Sequence, residues 1–322
     1  MSSEPQVLPN FFIVGTGKAG TTSLYSYLRQ HPQIYMSPVK EPSHFATEIR
    51  VEAFSAPMRR HNELQSRELA RVLNDGKPCQ PAGWIVSEWE EYLRLFRRVN
   101  GETAIGEASA AYLWSATAAA NIRARIPHAK IIMILRDPAE RAFSQYLHQV
   151  SVGLTAATFR EHVKLCERAQ SKGGRLSVVY PFLEIGLYYW QVKRYLDLFP
   201  RERIRIYWYE EAWRQPAKMM ADVFDFLEVE AAFQPDLSER SLERRAPRLT
   251  GLHHFLKRSG LWYPLKGMLP AQLTSSLRRL AFRRGKSLQM DPKDRQYLID
   301  YYRDDLQQLS TLLDRDLSAW TR

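Results

Sequence analysis

Cysteine is scarce in this sequence: only Cys79 and Cys166 occur among 322 residues, and neither belongs to a CxxC or a histidine-rich spacing. That excludes a disulfide framework and leaves no zinc-ligand pattern, so no metal is expected. Long apolar runs are missing too. None approaches the roughly 18 residues that a transmembrane helix requires. The opening MSSEPQVLPN has neither the basic region nor the apolar stretch of a secretory signal. These absences predict a cytoplasmic protein. No internal repeat is present.

What is there is an ordinary folded composition, 45% hydrophobic and 25% charged, with enough length for one large α/β domain or two small ones. The net charge of +11 is unevenly placed. Residues 238–290 hold twelve Lys or Arg against two acids, Glu239 and Glu243, so the rest of the chain is almost neutral. Basicity confined in this way implies an acidic partner, whether cofactor phosphate, anionic substrate, nucleic acid or membrane.

The stretch FFIVGTGKAGTTSL, residues 11–24, reads as a strand, a glycine-rich loop and the start of a helix. Glycines at Gly15, Gly17 and Gly20 let backbone N–H groups approach an anion, and the helix that follows presents free N–H groups and a positive dipole end. Two templates fit in part. In GxxxxGKS/T the outer glycines match, but Thr21 occupies the lysine slot and the loop lysine is Lys18, so the chain carries no NTPase P-loop. The spacing also matches GxGxxG, with Glu41 placed as the ribose-binding acid, yet Pro38 separates Glu41 from the strand Ile34 to Ser37. A nicotinamide-dependent oxidoreductase is the reading this second match supports.

Downstream, PVKEPSHF holds Lys40 and Glu41 between two prolines in an extended loop after a strand. Residues 46–100 read as polar helices around a break at Gly76 to Gly83. A short strand near Ala104 to Gly106 and an alanine-rich helix to Ile126 follow, and KIIMIL, residues 130–135, is a strand buried on both faces. Further strands and helices alternate: a helix in EIGLYYWQVKRYLDLF, a strand Ile204 to Trp208 and a helix in MMADVFDFL. Segment 238–290 reads as irregular helices and loops. The C-terminal helix starts at Asp291–Pro292 with Leu298, Tyr301, Tyr302, Leu306, Leu309, Leu312 and Leu313 as its apolar stripe. The alternation predicts a mostly parallel sheet covered by helices on both faces.

The strand KIIMIL ends in RDPAERAFSQYLH. Asp137 before Pro138, with Glu140 three residues on, forms a helix cap, and that structural role accounts for it. Arg136 is a permanent cation at the carboxyl end of a buried strand, and Ser144 lies two helical turns beyond it. The pair is suited to hold a second phosphate, or else is a salt bridge and a solvated serine.

Taken in order, the glycine loop, PVKEP, LRDPAERAFSQYLH and the terminal DLSAW resemble the sulfotransferases that use 3′-phosphoadenosine 5′-phosphosulfate (PAPS), particularly the branch containing bacterial enzymes and the heparan sulfate sulfotransferases. Residues 12–45 and 131–147 carry the sharp matches. The resemblance implies one P-loop-like α/β domain over residues 1–322, with 238–290 as a basic lid or substrate-binding segment. It implies that Lys18, the backbone of Ala19 and Gly20, and the hydroxyls of Thr21, Thr22 and Ser23 hold the 5′-phosphosulfate, and that Arg136 and Ser144 bind the 3′-phosphate. Arg245 and Arg248 are its candidates for contacts near the 3′-phosphate and adenine.

In-line sulfuryl transfer builds negative charge on the bridging oxygen, which a loop cation such as Lys18 can stabilise. The acceptor must lose a proton, and Glu41 is the candidate base. The chain departs from heparan-type relatives in two places. Ser43 stands where they carry a histidine, with His44 one position later as a second catalytic candidate. In the turn they write EKSPxY, this chain reads Glu107–Ala108–Ser109–Ala110–Ala111–Tyr112, without the lysine.

The acceptor is expected to be a small molecule or glycan bearing a hydroxyl or amine, with no nucleic-acid partner. Stretch 252–286 is a lid, a surface for an acidic glycan or a peripheral membrane contact. A non-enzymatic protein that binds nucleic acid or anionic membrane through 238–290 is the competing reading.

Overall fold

The structure, a computed structural model, describes residues 6–50, 85–171, 181–238, 245–247, 250–259, 282–284 and 288–322. Five strands, β1 (Phe11–Ile13), β2 (Ile34–Met36), β3 (Ala104–Ala108), β4 (Lys130–Leu135) and β5 (Ile204–Trp208), form an all-parallel sheet in the order β2-β3-β1-β4-β5. Alternate side chains leave the sheet on opposite faces, and both faces are packed. Phe12, Val14, Ile131, Met133 and Leu135 join one buried cluster, and Phe11, Ile13, Ile132 and Ile134 join the other. Burial on both sides is why KIIMIL is apolar without alternation.

The first cluster receives helices Ala118–Arg125, Pro138–Ser151, Tyr188–Leu198 and Pro292–Leu313; the second receives Thr21–Leu28 and Pro216–Leu227. In the terminal helix Leu298, Ile299, Tyr302, Leu306 and Leu309 are buried, close to the expected stripe, and Asp291 caps it by accepting from the Lys293 N–H at 2.8 Å. Because β1 lies between β3 and β4, the loops leaving its carboxyl end and those of its neighbours open a crevice there.

The structure differs from the sequence reading in two elements. The alanine-rich helix is two helices, Ala111–Trp114 and Ala118–Arg125. Ser115 interrupts it: its Oγ accepts from the N–H groups of Thr117 and Ala118 at 3.2 and 3.0 Å, starting a new helix. Within the basic segment, Arg245–Pro247 and Phe282–Arg284 pair as a two-stranded antiparallel sheet where helices and loops were expected. Neither strand has an alternating pattern, and 34 residues, 248–281, lie between them, so no local signal marks the pairing. Of the range 46–100 expected to hold polar helices, the described residues contain the short helix Trp89–Arg94; residues 51–84, with Cys79 among them, and most of 238–290 lie outside the described residues.

Candidate active site

The glycine loop is held against β4 by backbone contacts. Val14 N–H donates to the Ile132 carbonyl at 2.9 Å and Thr16 N–H to that of Ile134 at 3.1 Å. A Cβ at Gly15 would lie 2.4 Å from the Ile134 nitrogen, whereas one at Gly17 would meet nothing within 4 Å. Gly15 thus makes the strand contact and Gly17 borders open space. Lys18 adopts φ 70° and Gly20 φ 87°, the left-handed region that folds the loop back on itself.

Gly20 is the N-cap of helix Thr21–Leu28; no side chain caps this end and its first turn has no acid. That leaves the N-terminal N–H groups and the hydroxyls of Thr21, Thr22 and Ser23 available to an anion. Trp213 closes the other side, its indole N–H donating to the Ala19 carbonyl at 3.3 Å. Burial, and after it the charges of Arg136 and Lys40, pushes the Lys18 ammonium down to about 8.

Arg136 sits where β4 ends. It donates from Nη1 to the Lys18 carbonyl at 2.8 Å, lies with its guanidinium carbon 4.3 Å from the centre of the Tyr209 ring, and reaches Glu140 at 3.7 Å. The Tyr188 hydroxyl donates to the Arg136 carbonyl at 2.9 Å and fixes its backbone. Asp137 has the capping role read from the sequence, with Oδ1 accepting from Ala139 and Glu140, while Oδ2 pairs with Arg295 at 2.9 Å. Ser144 projects from the second turn of helix Pro138–Ser151. One turn further, His148 is solvent-accessible yet crowded enough that desolvation, with the Lys18 charge second, pushes its imidazolium down to about 4.

Glu41 also has a left-handed backbone, φ 63°. Its N–H donates to the Ala108 carbonyl at 2.8 Å, its Oε2 accepts from the Ala110 N–H at 2.7 Å, and Lys40 Nζ donates to its Oε1. Lys40 acts on Lys18 through its charge, so the cations of the glycine loop and the carboxylate of the PVKEP loop belong to one electrostatic site. His44 is committed elsewhere. Its Nδ1 hydrogen-bonds the Val86 carbonyl at 2.8 Å, its ring stacks on Tyr92 at 4.4 Å, and Phe45 and Trp89 lie 5.1 and 5.4 Å away. Burial lowers its proton affinity.

The backbone of Arg245 pairs with that of Arg284 in the two-stranded sheet, and Arg248 lies outside the described residues. Among the described residues no group of three or more His, Cys, Asp and Glu is arranged to hold a metal ion. Sequence reasoning missed Tyr209, Trp213 and His148. The last had a signal, since it lies four residues beyond Ser144 on one helical face. Trp213 had none, because 194 residues separate it from the Ala19 carbonyl it meets.

A parallel sheet with a glycine loop, a half-buried loop lysine and an arginine ending the neighbouring strand is an arrangement suited to a nucleotide-dependent group transferase. Residues 9–235 match the model of the sulfotransferase family, and the chain belongs to that family of PAPS-dependent transferases. The crystal structure of a sulfotransferase from Alicyclobacillus acidocaldarius is 32% identical, with TM-score 0.70 and coverage of 98% of this chain and 100% of that one. Carbohydrate sulfotransferase 15 of Rattus norvegicus is 29% identical over 68% of this chain and 44% of its own length. The human bifunctional heparan sulfate N-deacetylase/N-sulfotransferase 3 is 30% identical over 98% of this chain and 31% of its own. The chain thus spans less than half the length of these curated relatives.

The cytoplasmic expectation is corrected by the relatives. They act on carbohydrate and heparan sulfate by name, and one from Dictyostelium discoideum, 22% identical over 74% of this chain, is named a membrane-associated sulfotransferase. That expectation rested on the N-terminal residues and on the absence of a long apolar run, and in a chain matching only part of its relatives neither reports the compartment. Among the described residues no helix is long and apolar enough to cross a membrane.

Proposed function

We propose that this chain transfers a sulfuryl group from PAPS to a hydroxyl or amine of a glycan, by in-line displacement, within a single sulfotransferase domain. The observation that carries the reading is the hydrogen bond from Arg136 to the Lys18 carbonyl, which joins the loop suited to one phosphate to the strand end suited to another. Bound PAPS supplies an activated sulfuryl group and a 3′-phosphate.

In this reading the backbone of Ala19 and Gly20 and the hydroxyls of Thr21, Thr22 and Ser23 hold the 5′ end, and Arg136 with Ser144 holds the 3′-phosphate. Lys18, half-buried and desolvated, is the cation suited to stabilise the charge that grows on the leaving group, a contribution of about 3–4 kcal/mol in comparable sites. Glu41 accepts the acceptor proton at its carboxylate. Lys40 and the Ala110 N–H hold that carboxylate in place beside the loop. His44 is a weaker candidate for this role, since its Nδ1 and ring face are occupied by Val86 and Tyr92. Arg245 and Arg248 are retained as candidates for the adenine end.

The glycan acceptor is supported by the names of the relatives. A peripheral membrane contact through 252–286 has, among the described residues, exposed Leu252 and Phe255 to support it. Transfer from labelled PAPS to desulfated heparin, chondroitin, a simple phenol and anionic vesicles tests the reading. Label in either glycan supports it, and label in the phenol alone overturns the glycan assignment.

A further inference from the structure

Glu107, at the end of β3, is fully buried and forms no ion pair among the described residues. Its carboxyl group accepts from three hydroxyls: Ser109 Oγ at 2.6 Å on Oε1, and Tyr92 and Tyr112 at 2.7 and 3.2 Å on Oε2. Two of these hydroxyls accept in turn from the PVKEP loop. Ser43 N–H donates to Ser109 Oγ at 3.1 Å, and Phe45 N–H donates to the Tyr112 hydroxyl at 3.2 Å. A hydroxyl whose hydrogen is drawn to a carboxyl group turns its lone pairs toward other donors, so one buried acceptor orients both hydroxyls toward the loop.

The same turn binds Glu41 directly, through the Ala108 carbonyl and the Ala110 N–H. Glu41 and Ser43 both hold left-handed backbone, φ 63° and 52°, a conformation that persists only where surrounding contacts impose it.

We propose that Glu107 is a positioning residue for Glu41: its buried carboxyl group is the common acceptor that orients Ser109 and Tyr112 to fix the backbone of residues 41–45. The inference rests on the reading of Glu41 as the base, and its effect on turnover passes through Glu41 alone. Glu107 does not touch the reacting atoms. In this role acceptor capacity matters more than charge: Glu107→Gln keeps an oxygen for the two tyrosines and an amide that can donate to Ser109, whereas Glu107→Leu leaves all three hydroxyls without their acceptor.

The test has two readouts. Amide hydrogen exchange on the full chain reports the loop without any acceptor. Glu107→Leu and Ser109→Ala are expected to speed exchange in a peptide spanning 41–46 by about tenfold or more, with Glu107→Gln close to wild type and peptide 15–24 unchanged. Turnover with desulfated heparin or chondroitin reports the consequence. Glu107→Leu is expected to lower kcat about tenfold or more with acceptor KM within about threefold, and to have no further effect in a Glu41→Gln background.

If Glu107→Leu does not fold, Ser109→Ala and Tyr112→Phe carry both comparisons. Unchanged exchange over 41–46 in Glu107→Leu, or in those two substitutes, overturns the proposal. So does an equal loss of turnover with Glu41 already replaced, which marks a general packing effect. A Glu41→Gln enzyme with undiminished turnover sinks the base assignment instead, and the exchange result still judges the positioning role.

Discussion

Arg136 and Lys18 are joined by a hydrogen bond of 2.8 Å, from guanidinium to main-chain carbonyl, across 118 residues of sequence. Two cations are thereby held side by side, a repulsive arrangement that an anion would relieve. Replacing Arg136 with Ala should weaken adenosine 3′,5′-bisphosphate by about 10- to 100-fold, the range for losing charge-assisted hydrogen bonds. Binding of adenosine 5′-phosphate should change far less. Calorimetry with both nucleotides measures the ratio, and an equal loss for both would place the 3′-phosphate elsewhere.

Lys18 predicts a pH dependence of nucleotide binding. Its proton affinity in the ligand-free protein is pushed down to about 8, by burial first and by Arg136 and Lys40 next. An anion favours the protonated form, so affinity should be highest below pH 8 and fall by up to about tenfold per pH unit above it. Lys18→Met should bind more weakly and lose that slope; a slope surviving in the variant points to another group.

Glu41 and His44 are separable by activity. Glu41→Gln should lower kcat by about 10²- to 10⁴-fold while nucleotide affinity holds. His44→Phe, which keeps the stack on Tyr92, should retain kcat within about threefold. The opposite pattern in steady-state kinetics would exchange their roles.

Gly15 and Gly17 should fail in different ways. Gly15→Ala drives a methyl to 2.4 Å from the Ile134 nitrogen and should destabilise the fold by about 1–3 kcal/mol or more. Gly17→Ala meets no protein atom within 4 Å, so its melting temperature should hold while its methyl intrudes where an anion would lie. Thermal melts with and without adenosine 3′,5′-bisphosphate distinguish the two.

Glu107 should make stability fall as pH rises. Burial lifts its proton affinity from 4.5 to about 7, so between those values the folded chain binds a proton that the unfolded chain has lost. The contribution is fully present below pH 4.5, is lost progressively up to about 7, and amounts to about 3 kcal/mol for a shift of that size. Glu107→Gln should remove this term, so the urea midpoint of wild type should fall relative to that of the variant between pH 4.5 and 7. Parallel curves would show that another group neutralises the buried carboxyl.

The parts of the molecule legible in the sequence were those whose cause is local. KIIMIL is apolar throughout because both sheet faces are packed, and Asp137–Pro138 marks a helix start because the cap is made within three residues. Glu41 was singled out as a candidate from the two prolines that flank it. Its distinction from His44 was not, because the Tyr92 ring that occupies His44 is 48 positions away in sequence. Glu107 was noted only for the lysine missing beside it. Its importance comes from hydroxyls and amides of three separate segments, which no spacing rule brings together.

Lys18 and Glu41 share a backbone conformation that costs a side-chain-bearing residue about 1 kcal/mol relative to glycine. Selection for stability alone would therefore favour glycine at Lys18, where it would also remove a desolvated cation beside Arg136 and Lys40, whereas at Glu41 the bonds from the Ala110 N–H and Lys40 offset the same strain. Glycine in place of Lys18 would relax the backbone while removing the ammonium, so this chain is open to becoming sturdier by giving up part of its chemistry. A stability screen of random variants should recover Lys18→Gly, and a screen for turnover should discard it.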